Sequence, residues 1–123
     1  MKIKATLEDR YIPKWNRNRE LPEGEQVVVE IRWPTTTQRE ALKGYKISPK
    51  DEDVKVVFDT ARILRDHVGA ISNLEVELNG KPVLIKSGSD LADTRALVLE
   101  RLIDELKAYI CSEDGLEDET EKN

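Results

Sequence analysis

The chain has 123 residues, of which 38% are hydrophobic and 37% charged, so we expect one domain with a modest core and a heavily charged surface. No apolar run approaches the roughly 18 residues of a membrane span, and residues 1–5 lack the apolar segment of a signal peptide. The single cysteine excludes an internal disulfide. Together these features favour a cytoplasmic protein without a membrane partner.

The net charge of −5 is concentrated at the C-terminus. Residues 112–123 hold six acidic residues against Lys122, so the rest of the chain is balanced. This segment has Leu116 as its single apolar residue and is predicted to be a disordered acidic tail, either a solvating terminus or an acidic docking segment. The preceding residues 1–111 form the domain. Because nucleic-acid binding usually needs a net basic face, the balanced domain argues against a nucleic-acid partner.

The first part of the chain predicts an irregular arm followed by a strand. Residues 3–7 alternate apolar and polar positions and could form a short strand, whereas residues 8–24 are polar, contain proline and glycine, and indicate an irregular N-terminal arm. Residues 25–33 are dominated by β-branched residues and are predicted to form a strand. Its period of two gives one apolar face, made of Val27, Val29, Ile31 and Trp33, as expected in an antiparallel sheet.

Two helices are predicted in the middle of the chain. Thr37 with Glu40 three residues later matches a capping box, so a short helix is expected to end at Gly44 and to be followed by a loop over residues 45–53. Asp59 is a good N-cap for the second helix. The apolar face of that helix is predicted to continue through Val68 and Ile71.

A hairpin and a long helix complete the predicted fold. Asn79-Gly80 lies between two alternating segments over residues 74–85, which predicts a type I′ turn, and Pro82 restricts the return strand to an edge. One long helix is predicted next, capped by Ser89, Asp90 or Asp93. Its apolar face consists of Leu91, Val98, Leu99, Leu102, Ile103, Leu106 and Ile110, with Tyr109 at the edge. The fold class is therefore α+β, with a small antiparallel sheet packed by two or three helices.

Residue types that carry catalysis or bind metals are sparse in this sequence. The lone His67 is predicted on the exposed side of its helix, as a surface or half-buried histidine without a serine motif beside it. Cys111 lies at the end of the last helix, where the helix dipole does not activate a thiolate. Gly88 is a lone glycine, which indicates a simple turn rather than a phosphate-binding loop. We therefore expect no enzymatic activity, no metal and no cofactor.

Aromatic residues remain as the candidate functional groups. Trp15 lies in an otherwise polar arm together with Tyr11, and Trp33 ends the predicted strand. Tryptophan and tyrosine are enriched in the binding hot spots of protein interfaces, although each can equally serve the core or fix the arm to the domain. Tyr11, Trp15 and Trp33 are therefore the candidate partner-binding residues.

Several short motifs follow one another along roughly residues 10–110 of the chain. They lie at residues 11–18, 21–26, 34–36, 39–40, 67–74, 79–83 and 102–106. In that order they resemble small proteins encoded among the tail genes of bacteriophages and prophages, of the tail assembly chaperone kind. Pro34-Thr35-Thr36 replaces the usual Pro-Leu-Thr and removes one apolar anchor. The family has no catalytic motif, so no functional residue is carried over.

The resemblance implies a non-catalytic factor in the bacterial host cytoplasm. Such a factor binds a tape-measure-like protein and keeps its apolar helices soluble until the tail tube polymerises around it. Two other hypotheses about the function stay open at this point. The protein could be a minor structural protein of the phage particle, or a host adaptor or peptide-binding domain unrelated to phage. The oligomeric state is also open, because the apolar face of the last helix suits a dimer as well as a monomer core.

Overall fold

The computed structural model describes residues 1–5, 7, 9–47 and 54–111, and for residues 45–47 and 54–56 it describes the backbone. The described strands and helices are, in chain order, β1 (Arg10–Tyr11), β2 (Val28–Ile31), α1 (Thr36–Ala41), β3 (Lys43–Ile47), β4 (Val54–Phe58), α2 (Thr60–His67), β5 (Val68–Ser72), β6 (Glu75–Leu78), β7 (Lys81–Leu84), α3 (Gly88–Ala92) and α4 (Glu100–Cys111). Short 3-10 segments cover Trp15–Glu20, Glu23–Glu25 and Leu97–Leu99. The predicted acidic tail lies outside the described residues.

The predicted α+β class is confirmed, and the described strands form three small antiparallel sheets. Their orders are β1-β2-β5, β3-β4 and β6-β7. A bridge between Ala70 and Ser87 connects β5 to the segment that follows β7. α2 and α3 contact β5, and α1 contacts β3. The helices bury an apolar cluster to which α2 and α4 contribute Ile63, Leu64, Leu102, Leu106 and Ile110. No helix in the described part of the chain is long and apolar enough to cross a membrane.

The predicted strand at residues 25–33 is confirmed over a shorter range, and its apolar face is buried as expected. Val27, Val29 and Ile31 lie in the core, while Trp33 is half-buried against it. The strand suggested for residues 3–7 is absent from the described positions, where Ile3 and Leu7 are exposed. The edge partner of β2 is instead β1 within the arm, which brings the arm onto the domain.

The predicted extension of the second helix through Val68 and Ile71 is wrong. Asp59 caps α2 as expected, with its Oδ1 accepting from the Arg62 N–H at 3.2 Å, but α2 ends at His67. Val68–Ser72 then forms β5 and pairs with the free edge of β2, with Val29 opposite Ile71. Since β-branched residues favour strands, this pairing outweighs a helical turn already weakened by glycine.

The first helix begins two residues earlier than predicted. Thr35 is its N-cap: the Thr35 hydroxyl accepts from the Gln38 N–H at 3.1 Å, and the Gln38 side chain accepts from the Thr35 N–H at 2.9 Å. The capping box is therefore Thr35–Gln38 rather than Thr37–Glu40. Gly44 does not end this helix, since α1 stops at Ala41. Gly44 lies in β3, so residues 45–47 of the predicted loop are a strand, and residues 48–53 lie outside the described residues.

The predicted hairpin is confirmed. Asn79 and Gly80 have φ values of 54° and 79°, as a type I′ turn requires, and join β6 to β7. Among the described strands β7 pairs with β6 alone, so Pro82 lies on an edge strand as predicted.

The predicted long helix is divided into α3, a 3-10 segment and α4. Ser87, not Ser89, Asp90 or Asp93, caps α3, and its hydroxyl accepts from the Asp90 N–H at 3.2 Å. Gly88 is thus the first residue of a helix rather than part of a simple turn. Because the helical path is interrupted before Glu100, Val98 turns outward instead of continuing the apolar face.

Candidate partner-binding site

Two of the predicted partner-binding aromatics meet on one tyrosine of α4. The rings of Tyr11 and Tyr109 stack with centroids 4.0 Å apart, and the ring of Trp33 lies 5.1 Å from that of Tyr109 at a tilt of 54°. All three are partly buried against the core. Tyr11 and Trp33 therefore fix the arm and the end of β2 to α4, which is a structural role.

A single carboxylate on α4 holds the arm. Glu105 accepts hydrogen bonds from the Tyr11 hydroxyl at 2.5 Å, the Lys14 N–H at 2.7 Å and the Trp15 N–H at 2.9 Å. The guanidinium of Arg19 lies 5.7 Å from the centroid of the Tyr11 ring, and its Nε donates to the Ile12 carbonyl at 2.8 Å. Hydrogen bonds to a charged acceptor are about twice as strong as neutral ones, so Glu105 sets where Trp15 lies.

The Tyr11–Glu105 bond gives the protein an expected alkaline dependence. Burial and, after it, the hydrogen bond to Glu105 raise the pKa of the Tyr11 phenol above its ordinary value of 10.0. The folded state thus favours the neutral phenol over the phenolate. The contribution of Tyr11 to the free energy of unfolding is therefore complete below pH 10.0 and is lost as the pH rises above that value. We expect Tyr11→Phe to cost about 1 kcal/mol of unfolding free energy at pH 8.

Urea denaturation of the wild type and of Tyr11→Phe at pH 8 and pH 11 checks this expectation. The difference between the two proteins should narrow at the higher pH, since Phe cannot ionise and other titrating groups affect both proteins alike. If the difference in unfolding free energy between the two proteins is the same at pH 8 and pH 11, ionisation of the Tyr11 hydroxyl does not affect the stability of the protein.

A buried asparagine fixes the other side of the arm. Asn18 is 2% exposed, and its Nδ2 donates to the carbonyls of Pro13 at 3.0 Å and Val27 at 2.9 Å. Its Oδ1 accepts from the Val27 N–H at 2.7 Å. Asn16 and Arg17 have φ values of 51° and 59°, which reverse the chain just before Asn18. The arm is thereby held between the start of β2 and α4.

Trp15, the third predicted aromatic, borders an open groove of about 530 Å³ between the arm and α4. Leu97 and Val98, which are 83% and 64% exposed, also line this groove. We call this surface the Trp15 groove. It combines a half-buried indole with two outward aliphatic side chains, which is the composition of a binding hot spot in a protein interface.

The Trp15 groove also has charged lining residues. They are Glu100 and Asp104, four residues apart on α4, and the cation Arg101. Like charges at this spacing on a helix repel mildly, by a few tenths of a kcal/mol. The Oδ1 of Asp104 lies 3.9 Å from the Nζ of Lys107, a distance too long for a hydrogen bond. A cationic side chain brought in by a partner would relieve this repulsion.

The other groups considered for chemistry lie away from this groove. His67 is buried at 6% exposure, which corrects the prediction of an exposed or half-buried residue: it ends α2 and its Nδ1 contacts the Arg32 carbonyl at 2.9 Å. Cys111 is buried, and desolvation raises the pKa of its thiol. In the described part of the chain, no three His, Cys, Asp or Glu side chains are grouped as metal ligands would be.

The sequence pattern missed the residues that position Trp15. Glu105 and Tyr109 lie four apart at the margin of the apolar face of α4, so their contact with the arm could have been suspected from helical spacing. Asn18 carried no such signal, because a buried amide and an exposed one look alike in a polar segment.

Comparisons with protein-family models, with curated proteins and with solved structures found no match to this chain.

Proposed function

We propose that this protein is a non-catalytic binding factor of the phage tail assembly chaperone kind. Its Trp15 groove receives an apolar helical segment of a tail protein such as a tape-measure protein. The observation that carries the proposal is the outward position of Leu97 and Val98 beside Trp15. The resemblance of the arm, strand and hairpin motifs to tail assembly chaperones supports the choice of partner.

The energetics of the groove favour a protein partner. Burial of an exposed leucine or valine side chain contributes about 1.5–3 kcal/mol each, and an interfacial tryptophan often contributes 2 kcal/mol or more. The arm is held by Glu105 and Asn18 before any partner arrives, so little conformational entropy is lost on docking. A helix is the segment that fits best, because it presents aliphatic residues three and four positions apart along a groove.

The charges of the groove add a second criterion for the partner. Glu100 and Asp104 favour a helix that carries Lys or Arg one turn beyond its aliphatic residues. Amphipathic helices with such a pattern aggregate when they are unpaired, which is the state that an assembly chaperone covers.

Affinity capture from cells that carry the source genome, with phage genes induced, tests this proposal. The bait carries an N-terminal tag, and bound proteins are identified by mass spectrometry. We expect the wild-type bait to capture a long, helix-rich tail protein, and the Leu97→Glu bait to lose it. Leu84→Glu is the control, because it changes an exposed leucine on β7, outside the groove, and this bait should still capture the tail protein. Capture of host proteins alone would favour an adaptor, and presence of the protein in purified virions would favour a structural component.

The two tryptophans are expected to separate binding from stability. Trp15→Ala should weaken binding of the captured tail segment by about 30-fold, because it removes the indole of the groove. Trp15 is also partly buried against the core, so the variant should lower the melting temperature, but less than Trp33→Ala does. Trp33→Ala should lower the unfolding free energy by about 2 kcal/mol, because Trp33 packs on Tyr109 and the core. A binding titration and thermal melts of both variants check this, and equal losses of folding would contradict the separation.

A further inference from the structure

A second, polar groove of about 330 Å³ lies where the end of β2 meets α1 and α2. Its charged lining consists of Arg32, Arg62, Arg65, Asp66 and His67, and we call it the arginine groove. We propose that it binds a phosphate group carried by a small ligand. This site shares no lining residue with the Trp15 groove and does not depend on the function proposed above.

The arginine groove gathers three guanidinium groups, each of them paired with a carboxylate: Arg32 with Glu30, Arg62 with Asp66 and Arg65 with Asp93. The pairs of Arg32 and Arg62 are exposed, and exposed ion pairs contribute only about 0–1 kcal/mol. A phosphate group, which carries up to two negative charges at neutral pH, competes with these two carboxylates for the guanidinium groups. Guanidinium groups also match the planar, bidentate geometry in which phosphate oxygens accept hydrogen bonds.

Two of these guanidinium groups have hydrogen-bond donors to offer. Arg62 Nε lies 3.7 Å from Asp66 Oδ2, and Arg32 Nε lies 3.9 Å from Glu30 Oε1, so neither contact is a hydrogen bond. Neither guanidinium donates a hydrogen bond to another described residue. Their side chains are 54% and 61% exposed, which leaves them accessible to a ligand. Arg65 differs, since its guanidinium already donates a hydrogen bond to Asp93.

His67 gives the groove a rigid wall. Its Nδ1 lies 2.9 Å from the Arg32 carbonyl, and because a carbonyl oxygen can only accept, Nδ1 carries the proton. The Arg32 N–H in turn donates to the His67 carbonyl at 2.8 Å, so the two residues hold each other in place. Nε2 makes no hydrogen bond to a described residue and is accessible to a ligand in the groove.

Isothermal titration of the full chain with sodium phosphate, with NaCl holding the ionic strength constant, tests this inference. We expect saturable binding at one site, weakened about tenfold or more in Arg62→Ala. The matched control is Arg95→Ala, which removes an exposed arginine outside the groove and should bind phosphate as the wild type does. His67→Asn should also weaken binding, because asparagine keeps a donor for the Arg32 carbonyl and lacks Nε2.

Four results would overturn the assignment. They are phosphate binding that does not saturate, equal binding by Arg62→Ala and Arg95→Ala, acetate binding as tight as phosphate binding, and binding of a short single-stranded oligonucleotide without binding of phosphate. Because Arg62 is half-exposed, Arg62→Ala is expected to fold. A thermal melt of each variant confirms that a loss of binding is not a loss of structure.

Discussion

Gly88→Ala is expected to lower the free energy of unfolding by about 3 kcal/mol or more, a large share of the roughly 5–15 kcal/mol of a typical domain. A Cβ at this position would lie 1.9 Å from the carbonyl oxygen of Leu64 and 2.4 Å from that of Val68. Both atoms belong to the backbone where α2 ends and β5 begins, so no side chain can rotate away. Relief requires α3 to move away from α2, which would open the core between them.

The loss at Gly88 would be steric rather than conformational. Its φ is not positive, and alanine is a better helix former than glycine, so the local preference alone favours the substitution. Gly24→Ala is the matched control, because a Cβ there meets nothing within 4 Å, and its effect is expected within about 0.5 kcal/mol. Urea denaturation of both variants checks the pair. Similar stabilities for the two variants would show that α3 accommodates the methyl group.

The features predicted from sequence are those that neighbouring residues decide. The Asn79-Gly80 turn, the Asp59 cap and the buried face of β2 follow from local φ preferences, local hydrogen bonds and a period of two. β5 was missed because Val68 and Ile71 fit a helical face as well as a strand, and the edge of β2 that chooses between them lies far away in sequence.

The interruption before α4 was missed for a related reason. Val98 belongs to a set of apolar residues whose spacing suits one continuous helix, and no proline or glycine marks the break. The Trp15 groove depends on that break, since a continuous helix would have turned Val98 inward. The residue type alone therefore identified Trp15 as a candidate. The outward position of Val98 beside it depends on the tertiary structure and could not be predicted from the sequence.

The site prediction divides in the same way. Tyr11, Trp15 and Trp33 were selected by residue type, which does not distinguish an aromatic that packs from one that binds. In the structure the rings of Tyr11 and Trp33 lie against Tyr109, whereas Trp15, which also packs on the core, borders the groove. The contact of Tyr11 with Tyr109 joins residues almost the whole domain apart in sequence.

Asn18→Ala is expected to destabilise the protein by about 3 kcal/mol, because three buried backbone groups lose their partners together. The carbonyls of Pro13 and Val27 and the N–H of Val27 would each be left without the hydrogen bond that Asn18 supplies. The alanine methyl group is too small to fill the space that the Asn18 amide leaves, so the arm would lose close packing there. The effect should reach the Trp15 groove, since Asn18 and Glu105 hold opposite ends of the same segment.

Gln26→Ala separates the effect of burial from the effect of removing an amide. The Gln26 side chain also donates twice to the arm, to the carbonyls of Arg19 at 3.2 Å and Leu21 at 3.1 Å, but on the exposed side, where water replaces it. We expect this variant to cost less than about 1 kcal/mol. Limited trypsin digestion reads the arm directly, because Lys14, Arg17 and Arg19 are cleavage sites within it. Asn18→Ala should be cleaved there faster than Gln26→Ala under native conditions, and equal rates would mean that Glu105 alone holds the arm.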